Sequence, residues 1–202
     1  MDHHRRLDSE LDVLRDRVLV LGGEAEGALL RAMYALNERD SGAAREVLEG
    51  DDRIDRQEVE IDRLCVDVLA LRQPAARDLR FVISVAKITP ILERVADHAC
   101  NIARAALDLN DEPRLRPFPD LQRMAGVASS MLRAALDSFT RGDAAAARRV
   151  IKQDDEIDAM YERVFHDLIE LMVAEPSATP PACSSSPSTR SASPTTSPTS
   201  AS

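Results

Sequence analysis

An internal repeat constrains the fold of this chain more than any other feature of its sequence. When the 202-residue sequence is shifted by 103 residues, residues 141–158 lie over residues 38–55 with nine identities in 18 ungapped positions. The acidic pattern D-D-x-I-D occurs in both copies, at 51–55 and at 154–158. Similarity at a fixed offset is typical of a duplicated structural unit. The repeat therefore predicts two copies of one unit in tandem.

Composition and periodicity indicate that the repeated unit is helical. Only 3% of the residues are aromatic and Trp is absent, so a core must consist mainly of Leu, Val, Ile and Ala. One apolar stripe, spaced by three or four residues as in a helix, consists of Leu7, Leu11, Leu14, Val18 and Leu21. This first helix is expected to continue through Gly22-Gly23. Similar stripes predict helices at about residues 42–72, 75–109, 121–139 and 143–173.

Several residues mark the ends and weak points of these helices. Asp40 or Ser41 can cap the second helix. Leu71 belongs to its predicted inward stripe. Pro90 lies inside the third helix and predicts either a bend or two shorter helices.

The second and third helices are predicted to form an antiparallel hairpin about Pro74, which suits the first turn of a new helix. Asp55 and Glu93 each lie 19 residues from Pro74, and Asp51 and Asp97 each lie 23 residues from it. Equal rise along both arms places each pair at one level, and residues four apart share a helix face. The spacing therefore predicts that four carboxylates meet.

Converging carboxylates need compensation by protons, basic side chains or a cation. Carboxylate oxygens suit Mg²⁺, Ca²⁺ or Mn²⁺, and iron also accepts them, so one interpretation is a divalent or iron-type metal cluster. In the other interpretation the acids are solvated and paired with Arg53, Arg56 or Arg94. The spacing leaves both interpretations open.

Prolines and a change of composition divide the chain into four parts. Residues 1–110 form the first three-helix bundle, 111–119 a linker, and 120–176 an incomplete second bundle of two helices. Residues 177–202 are almost all Ser, Thr, Pro and Ala, and are predicted to be disordered. The tail is either a genuine linker or the product of a reading-frame shift, and the abrupt change within the repeat favours the frame shift.

The second bundle is predicted to lack its last helix. Asp154 and Asp158 repeat one acidic motif, but the positions equivalent to Glu93 and Asp97 are Thr196 and Ser200. A second complete acidic site is therefore not expected. The uncovered apolar faces predict instability, aggregation or pairing with another chain.

Charge, cysteines and missing motifs exclude several classes of function. A net charge of −9 argues against nucleic-acid binding, and no apolar run approaches the roughly 18 residues of a transmembrane segment. Cys65 and Cys100 fit reduced core positions, and with Cys183 the cysteines are odd in number and widely separated. The N-terminus is charged rather than a signal-peptide core, so the sequence predicts a cytoplasmic protein. Glu-x-x-His pairs and a glycine-rich phosphate loop are absent, so neither a di-iron enzyme nor an ATPase is indicated.

Two longer motifs flank the predicted hairpin turn. They read L-A-L-R-Q-P-A-A-R-D-L-R at Leu69–Arg80 and L-E-R-V-A-D-H-A-C-N-I at Leu92–Ile102. Together with the repeated D-x-x-I-D they resemble the PhoU family, over roughly residues 7–175. Three arginines lie near the turn: Arg72, Arg77 and Arg80. They could meet an acidic partner or phosphate, but a solvated face or salt bridges with Asp78 are favoured.

The resemblance implies an all-α fold of tandem three-helix bundles, with motifs that bind metal clusters in some members. The implied metal ligands are Asp51, Asp55, Glu93 and Asp97, and the weaker candidates are Asp52, His98 and Asn101. It implies no catalysis. The resemblance implies instead a homodimeric protein that negatively regulates high-affinity phosphate uptake and the phosphate-starvation response.

The implied partners are the ATPase subunit of the phosphate ABC transporter and the phosphate sensor histidine kinase. The competing prediction is a structural, metal-binding helical scaffold without a signalling role.

Overall fold

All regular structure in the described part of the chain is helical, as the sequence predicts. The computed structural model describes residues 2–113 and 119–174. Its helices are α1 (Asp2–Glu38), α2 (Ser41–Arg72), α3 (Ala76–Asn110), α4 (Pro119–Arg141), α5 (Ala144–Ile151) and α6 (Asp154–Ala174). None of these helices has both the length and the apolar content to cross a membrane. Most of the predicted linker, Cys183 and the predicted disordered tail lie outside the described residues.

Helices α1, α2 and α3 pack into a three-helix bundle around one apolar core. The stripe predicted on α1 is confirmed, since its five residues from Leu7 to Leu21 are all buried. On α2 the predicted stripe is buried at Ile54, Ile61 and Val68, but Leu71 is 65% exposed and that prediction is wrong. Leu71 lies in the last turn of α2, where the neighbouring helices no longer cover its side chain.

Both α1 and α3 run unbroken through residues that weaken helices. α1 continues through Gly22 and Gly23, as predicted. α3 continues through Pro90, so the alternative of two shorter helices is wrong. The neighbouring Thr89 is buried, and its hydroxyl donates to the backbone carbonyl of Val85 at 2.9 Å. Tertiary packing of this segment therefore outweighs the backbone hydrogen bond that proline removes.

The single helix predicted over residues 143–173 is two helices, α5 and α6. At the break, the N–H of Gln153 donates to the carbonyl of Val150 at 2.9 Å, a tighter turn than that of an α-helix. Ile151 is 71% exposed, so no tertiary packing holds a continuous helix here. The acids at 154–156 favour a new helix start, because negative charge stabilises a helix N-terminus.

Helix α4 packs on α1 and joins the second half of the chain to the first bundle. Leu136 of α4 is buried against Gly22 of α1, where an added methyl group would overlap Leu136 Cδ1. Phe139 of α4 stacks on Phe81 of α3, with ring centroids 5.4 Å apart and planes 9° from parallel. The two halves therefore meet through close packing at a glycine and through an aromatic pair.

A buried carboxylate strengthens the same contact. Glu26 of α1 is only 9% exposed and accepts hydrogen bonds from Ser129 Oγ at 2.6 Å and from Arg133, both on α4. The hydrogen bond from Arg133 holds the pKa of Glu26 below its ordinary value, although burial opposes this shift. Glu26 is therefore a charged anchor between α1 and α4.

Substituting Asp40 with alanine should lower the free energy of unfolding by about 1 kcal/mol, because Asp40 caps α2. Its Oδ1 accepts from the backbone N–H groups of Gly42 and Ala43 at 2.9 and 3.0 Å. Asp40→Asn keeps a side-chain oxygen at this position and should remain close to wild type. Urea denaturation followed by circular dichroism distinguishes the variants, and equal losses in both would contradict the capping role.

Candidate acidic site between α2 and α3

A three-residue turn sets the register of α2 against α3. Gln73 ends α2 with left-handed backbone angles (φ 47°, ψ 55°), and Ala75 leads into α3 with extended backbone. Pro74 between them is buried. Because the turn is this short, the two helices run antiparallel from one level, as predicted from the sequence.

The four carboxylates predicted to meet do influence one another in the structure. Partial burial raises the pKa of Asp55, and the negative charges of Asp51, Asp97 and Asp52 raise it further. Partial burial likewise raises the pKa of Glu93, with added contributions from the charges of Asp97 and Asp55 and from a hydrogen bond with Asp97. The turn therefore brings acids of α2 and α3 together. We call Asp51, Asp55, Glu93 and Asp97 the acidic cluster.

Two nearby arginines direct their hydrogen bonds away from the acidic cluster. Arg53 Nε donates to Glu24 of α1 at 3.1 Å, and Arg56 Nε donates to the backbone carbonyl of Asp52 at 2.8 Å. The interpretation that these two arginines pair with the clustered acids is therefore wrong. Arg53 is bonded to a residue of α1, and Arg56 is bonded to the backbone of its own helix.

The weaker ligand candidates are as exposed as Asp55 and Asp97 of the cluster itself. Asp52, His98 and Asn101 are all exposed. Asn101 Oδ1 accepts a hydrogen bond from Arg104 at 2.9 Å. Asp52 acts on the cluster through its charge, which helps to raise the pKa of Asp55.

Two further residues interact with the cluster, and neither interaction was predicted from the sequence. Burial, together with a hydrogen bond to Asp51, raises the pKa of the Cys100 thiol to about 12, so this buried group stays protonated and neutral. The charge of Glu58 contributes to the raised pKa of Glu93. Glu58 follows Asp55 by three residues, and this helical spacing could have identified it.

The chemistry of the acidic cluster fits a hard cation, because all its candidate donors are carboxylates. Within residues 2–113 and 119–174, however, no three His, Cys, Asp or Glu side chains are grouped as metal ligands would be. The observed arrangement is a partly buried group of like charges rather than a formed coordination shell.

Asp55→Asn should stabilise the chelator-treated protein at pH 7 by about 0.5 kcal/mol, a small gain because the site is partly solvated. The pKa of Asp55 is raised in the folded state, so its ionisation disfavours folding as the pH rises. The gain should shrink as the pH falls toward the ordinary value of 3.8. Thermal denaturation measures it. Asp67→Asn, an exposed substitution on the same helix, is the control, and an equal gain there would contradict the prediction.

A cavity of about 530 Å³ lies where α1, α3 and α4 meet. Arg77 and Arg80, two of the three arginines noted near the turn, line it together with Arg15. The lining also contains the acids Asp8, Asp12 and Asp78. The third noted arginine, Arg72, instead forms an ion pair with Glu10 of α1 at 2.6 Å. The cavity therefore presents charges of both signs.

The second copy of the acidic motif, at 154–158, has no partner motif on another helix among the described residues. Asp154 and Asp158 are exposed in the first turns of α6. The repeat places their partner positions at Thr196 and Ser200, which lie outside the described residues. The structure therefore gives one cluster of acids from two helices in its described part, in the first bundle.

Comparison with known proteins extends over both halves of the chain. A family model for the PhoU domain matches residues 18–106 and 121–187. The chain is 35% identical to a phosphate-specific transport system accessory protein PhoU homolog of Aquifex aeolicus, over 85% of this chain and 77% of the relative. It is 34% identical to the phosphate-specific transport system accessory protein PhoU of Escherichia coli, over 84% and 70%.

Two solved structures are similar in fold. PhoU from Pseudomonas aeruginosa superposes with a TM-score of 0.80 at 38% identity, covering 84% of this chain and 81% of that one. The phosphate transport system regulatory protein PhoU from Streptococcus pneumoniae superposes with a TM-score of 0.78 at 31% identity, covering 84% and 80%.

Proposed function

The chain belongs to the PhoU family, and from this we propose that it regulates phosphate homeostasis, restraining high-affinity phosphate uptake and the phosphate-starvation response. The observation that carries the proposal is the match over most of the chain to proteins named as accessory or regulatory proteins of phosphate transport. The fold adds support, because long helices with exposed side chains offer binding surfaces.

The proposed mode of action is binding rather than catalysis, in the cytoplasm. The proposed partners are the ATPase subunit of the phosphate ABC transporter and the phosphate sensor histidine kinase, and the chain is proposed to form a homodimer. Exposed large apolar side chains support protein contacts, among them Tyr34 at 54% and Leu71 at 65% exposure.

The acidic cluster is proposed to hold a divalent or iron-type metal cluster through Asp51, Asp55, Glu93 and Asp97. Partial burial and mutual repulsion, which together raise the pKa of Asp55 and Glu93, support this. Arg53 and Arg56, two of the three arginines considered as compensating charges, are bonded elsewhere. Bound metal would supply the missing positive charge and link α2 to α3.

Thermal denaturation tests the metal proposal directly. Chelated protein is titrated with Mg²⁺, Ca²⁺, Mn²⁺ or Fe²⁺, and a binding metal should raise Tm because it favours the folded state. The rise should disappear in Asp55→Asn/Glu93→Gln and persist in the control Asp62→Asn/Asp67→Asn, whose residues are exposed on α2. The proposal fails if none of the four metals raises Tm.

Phosphate-starvation gene output in the native host, grown in high phosphate, tests the regulatory role. Wild type, a deletion strain, and the deletion complemented with this chain are compared. The proposal expects deletion to raise output and the chain to restore repression. If deletion changes nothing, the competing metal-binding scaffold is favoured. If deletion raises output and the chain fails to lower it, this chain does not perform the regulation.

A further inference from the structure

Helix α6 exposes a row of apolar side chains that no described helix covers. The row consists of Tyr161, Phe165, Ile169 and Val173, which are 56%, 49%, 42% and 76% exposed and are each four residues apart. The rings of Tyr161 and Phe165 stack, with centroids 6.2 Å apart and planes 16° from parallel. We call these four residues the α6 stripe. Clustered exposed apolar side chains of this kind mark interaction sites.

The internal repeat shows that a third helix in the second bundle would leave part of the α6 stripe exposed. With the offset of 103 residues, Phe165 corresponds to Asp62 of α2 and Ile169 corresponds to Val66. Asp62 is exposed and Val66 is 56% exposed, although α3 packs on α2 in the complete first bundle. The position that α3 and α1 do bury is Cys65, whose counterpart on α6 is Leu168. Tyr161 corresponds to Glu58, which is half-buried and acts on Glu93 of α3. The stripe therefore begins on the flank that faces the third helix at Tyr161 and continues onto positions that a complete bundle leaves exposed at Phe165 and Ile169.

A row of carboxylates runs beside the α6 stripe. Asp158, Glu162 and Glu170 are exposed at intervals of four and eight residues, and none forms an ion pair with another described residue. Over its whole length, α6 carries seven Asp and Glu residues against one arginine. That arginine, Arg163, is bonded to Asp120 of α4 at 2.8 Å. The surface next to the stripe is therefore strongly negative.

This charge pattern distinguishes between possible occupants. A second copy pairing α6 with α6 would bring two acidic rows together, and an anionic lipid surface would be repelled in the same way. An amphipathic helix with basic residues beside its apolar face would satisfy both the stripe and the carboxylates. The Ser/Thr/Pro-rich residues 177–202 contain no Leu, Ile, Val, Met or aromatic residue with which to cover the stripe.

We propose that the α6 stripe, with Asp158, Glu162 and Glu170, binds a basic amphipathic helix of a partner protein. This deepens the proposed function by naming the surface through which a partner is held, and rests on that function for the biological role of the contact. Aromatic anchors supply the apolar contact area, and the acidic row selects a basic partner.

A binding assay with a defined probe tests this proposal on the full chain. The probe is a labelled amphipathic peptide of about 18 residues, five helical turns, with Leu on one face and Lys on the other. A peptide with Glu in place of Lys is its control. Fluorescence anisotropy should show binding of the Lys peptide that weakens with salt, and weaker or no binding of the Glu peptide.

Matched variants locate the site. Tyr161→Gln/Phe165→Gln and Asp158→Asn/Glu162→Gln should each weaken binding about tenfold or more, as truncated anchors of an interface do. Val20→Gln/Ile91→Gln and Glu46→Gln/Glu49→Gln, at exposed positions of the first bundle, should leave it unchanged. Equal effects of stripe and control variants, or equal binding of both peptides, would overturn the proposal.

Two further measurements test the other occupants. If Tyr161→Gln/Phe165→Gln converts a dimer into a monomer in sedimentation, a second copy occupies the stripe and the proposal is wrong. It is also wrong if vesicles of phosphatidylcholine and phosphatidylglycerol bind the chain through the stripe while the Lys peptide does not. None of these measurements depends on phosphate signalling. Failure of this binding proposal can therefore be distinguished from failure of the proposed regulatory function, which the phosphate-starvation gene output in the host tests.

Discussion

Gly22→Ala should lower the free energy of unfolding by about 2 kcal/mol, even though alanine is the better helix former. A methyl group on Gly22 would overlap Cδ1 of Leu136, which is buried between α1 and α4. Leu136 belongs to the main core, so it has little freedom to move away. Overpacking of this kind typically costs more than the helix propensity that alanine gains. Urea denaturation and amide exchange in α4 measure the loss.

The adjacent glycine provides the control for this prediction. A methyl group on Gly23 would meet no atom within 4 Å, so Gly23→Ala should stabilise α1 by about 1 kcal/mol. Leu136→Ala makes space at the contact, and in that background Gly22→Ala should no longer destabilise the protein. Stabilisation by both glycine substitutions in the wild-type background would show that α4 does not approach α1 closely at Gly22.

The contrast between these glycines shows what sequence patterns can reveal about the fold. Apolar periodicity predicted α1 through both glycines, because it describes how one helix faces its core. Apolar periodicity does not distinguish Gly22 from Gly23, since the close approach of α4 to Gly22 is a tertiary contact that leaves no signal in the local sequence. The break between α5 and α6 was missed for a related reason. The repeat equates this segment with the continuous, packed α2, whereas Ile151 is exposed.

The acidic cluster was predictable because it depends on register. Pro74 fixes the turn, and equal residue counts along two antiparallel helices place Asp55 near Glu93 whatever the rest of the fold does. The hydrogen-bond partner of Arg53 was not predictable in this way, because that partner, Glu24, lies on α1 and not in the hairpin of α2 and α3. The hydrogen bond between Cys100 and Asp51 was missed because the small, buried thiol matches a core position in the sequence pattern.

Glu26→Ala should lower the free energy of unfolding by about 2 kcal/mol, because it leaves polar groups at the α1–α4 contact without their acceptor. Ser129, itself buried, loses the carboxylate oxygen that lies 2.6 Å from its hydroxyl. Arg133→Gln should cost less than Glu26→Ala, since the Arg133 side chain is 68% exposed and water can replace its partner. Thermal and urea denaturation compare the two variants. Equal, small losses would show that Glu26 is not the anchor of α4.

The pH dependence of Glu26→Gln tests the charge of this anchor separately from its volume. The pKa of Glu26 lies below its ordinary value of 4.5 in the folded state, so the ionised form stabilises folding. That contribution is present above pH 4.5 and is lost as the pH falls through the lowered folded value. The stability gap between wild type and Glu26→Gln should therefore be largest near neutral pH and close in acid. Glu46→Gln, at an exposed position of α2, should show no such gap. A gap independent of pH would mean that Glu26 acts through its shape and hydrogen bonds, with no contribution from its charge.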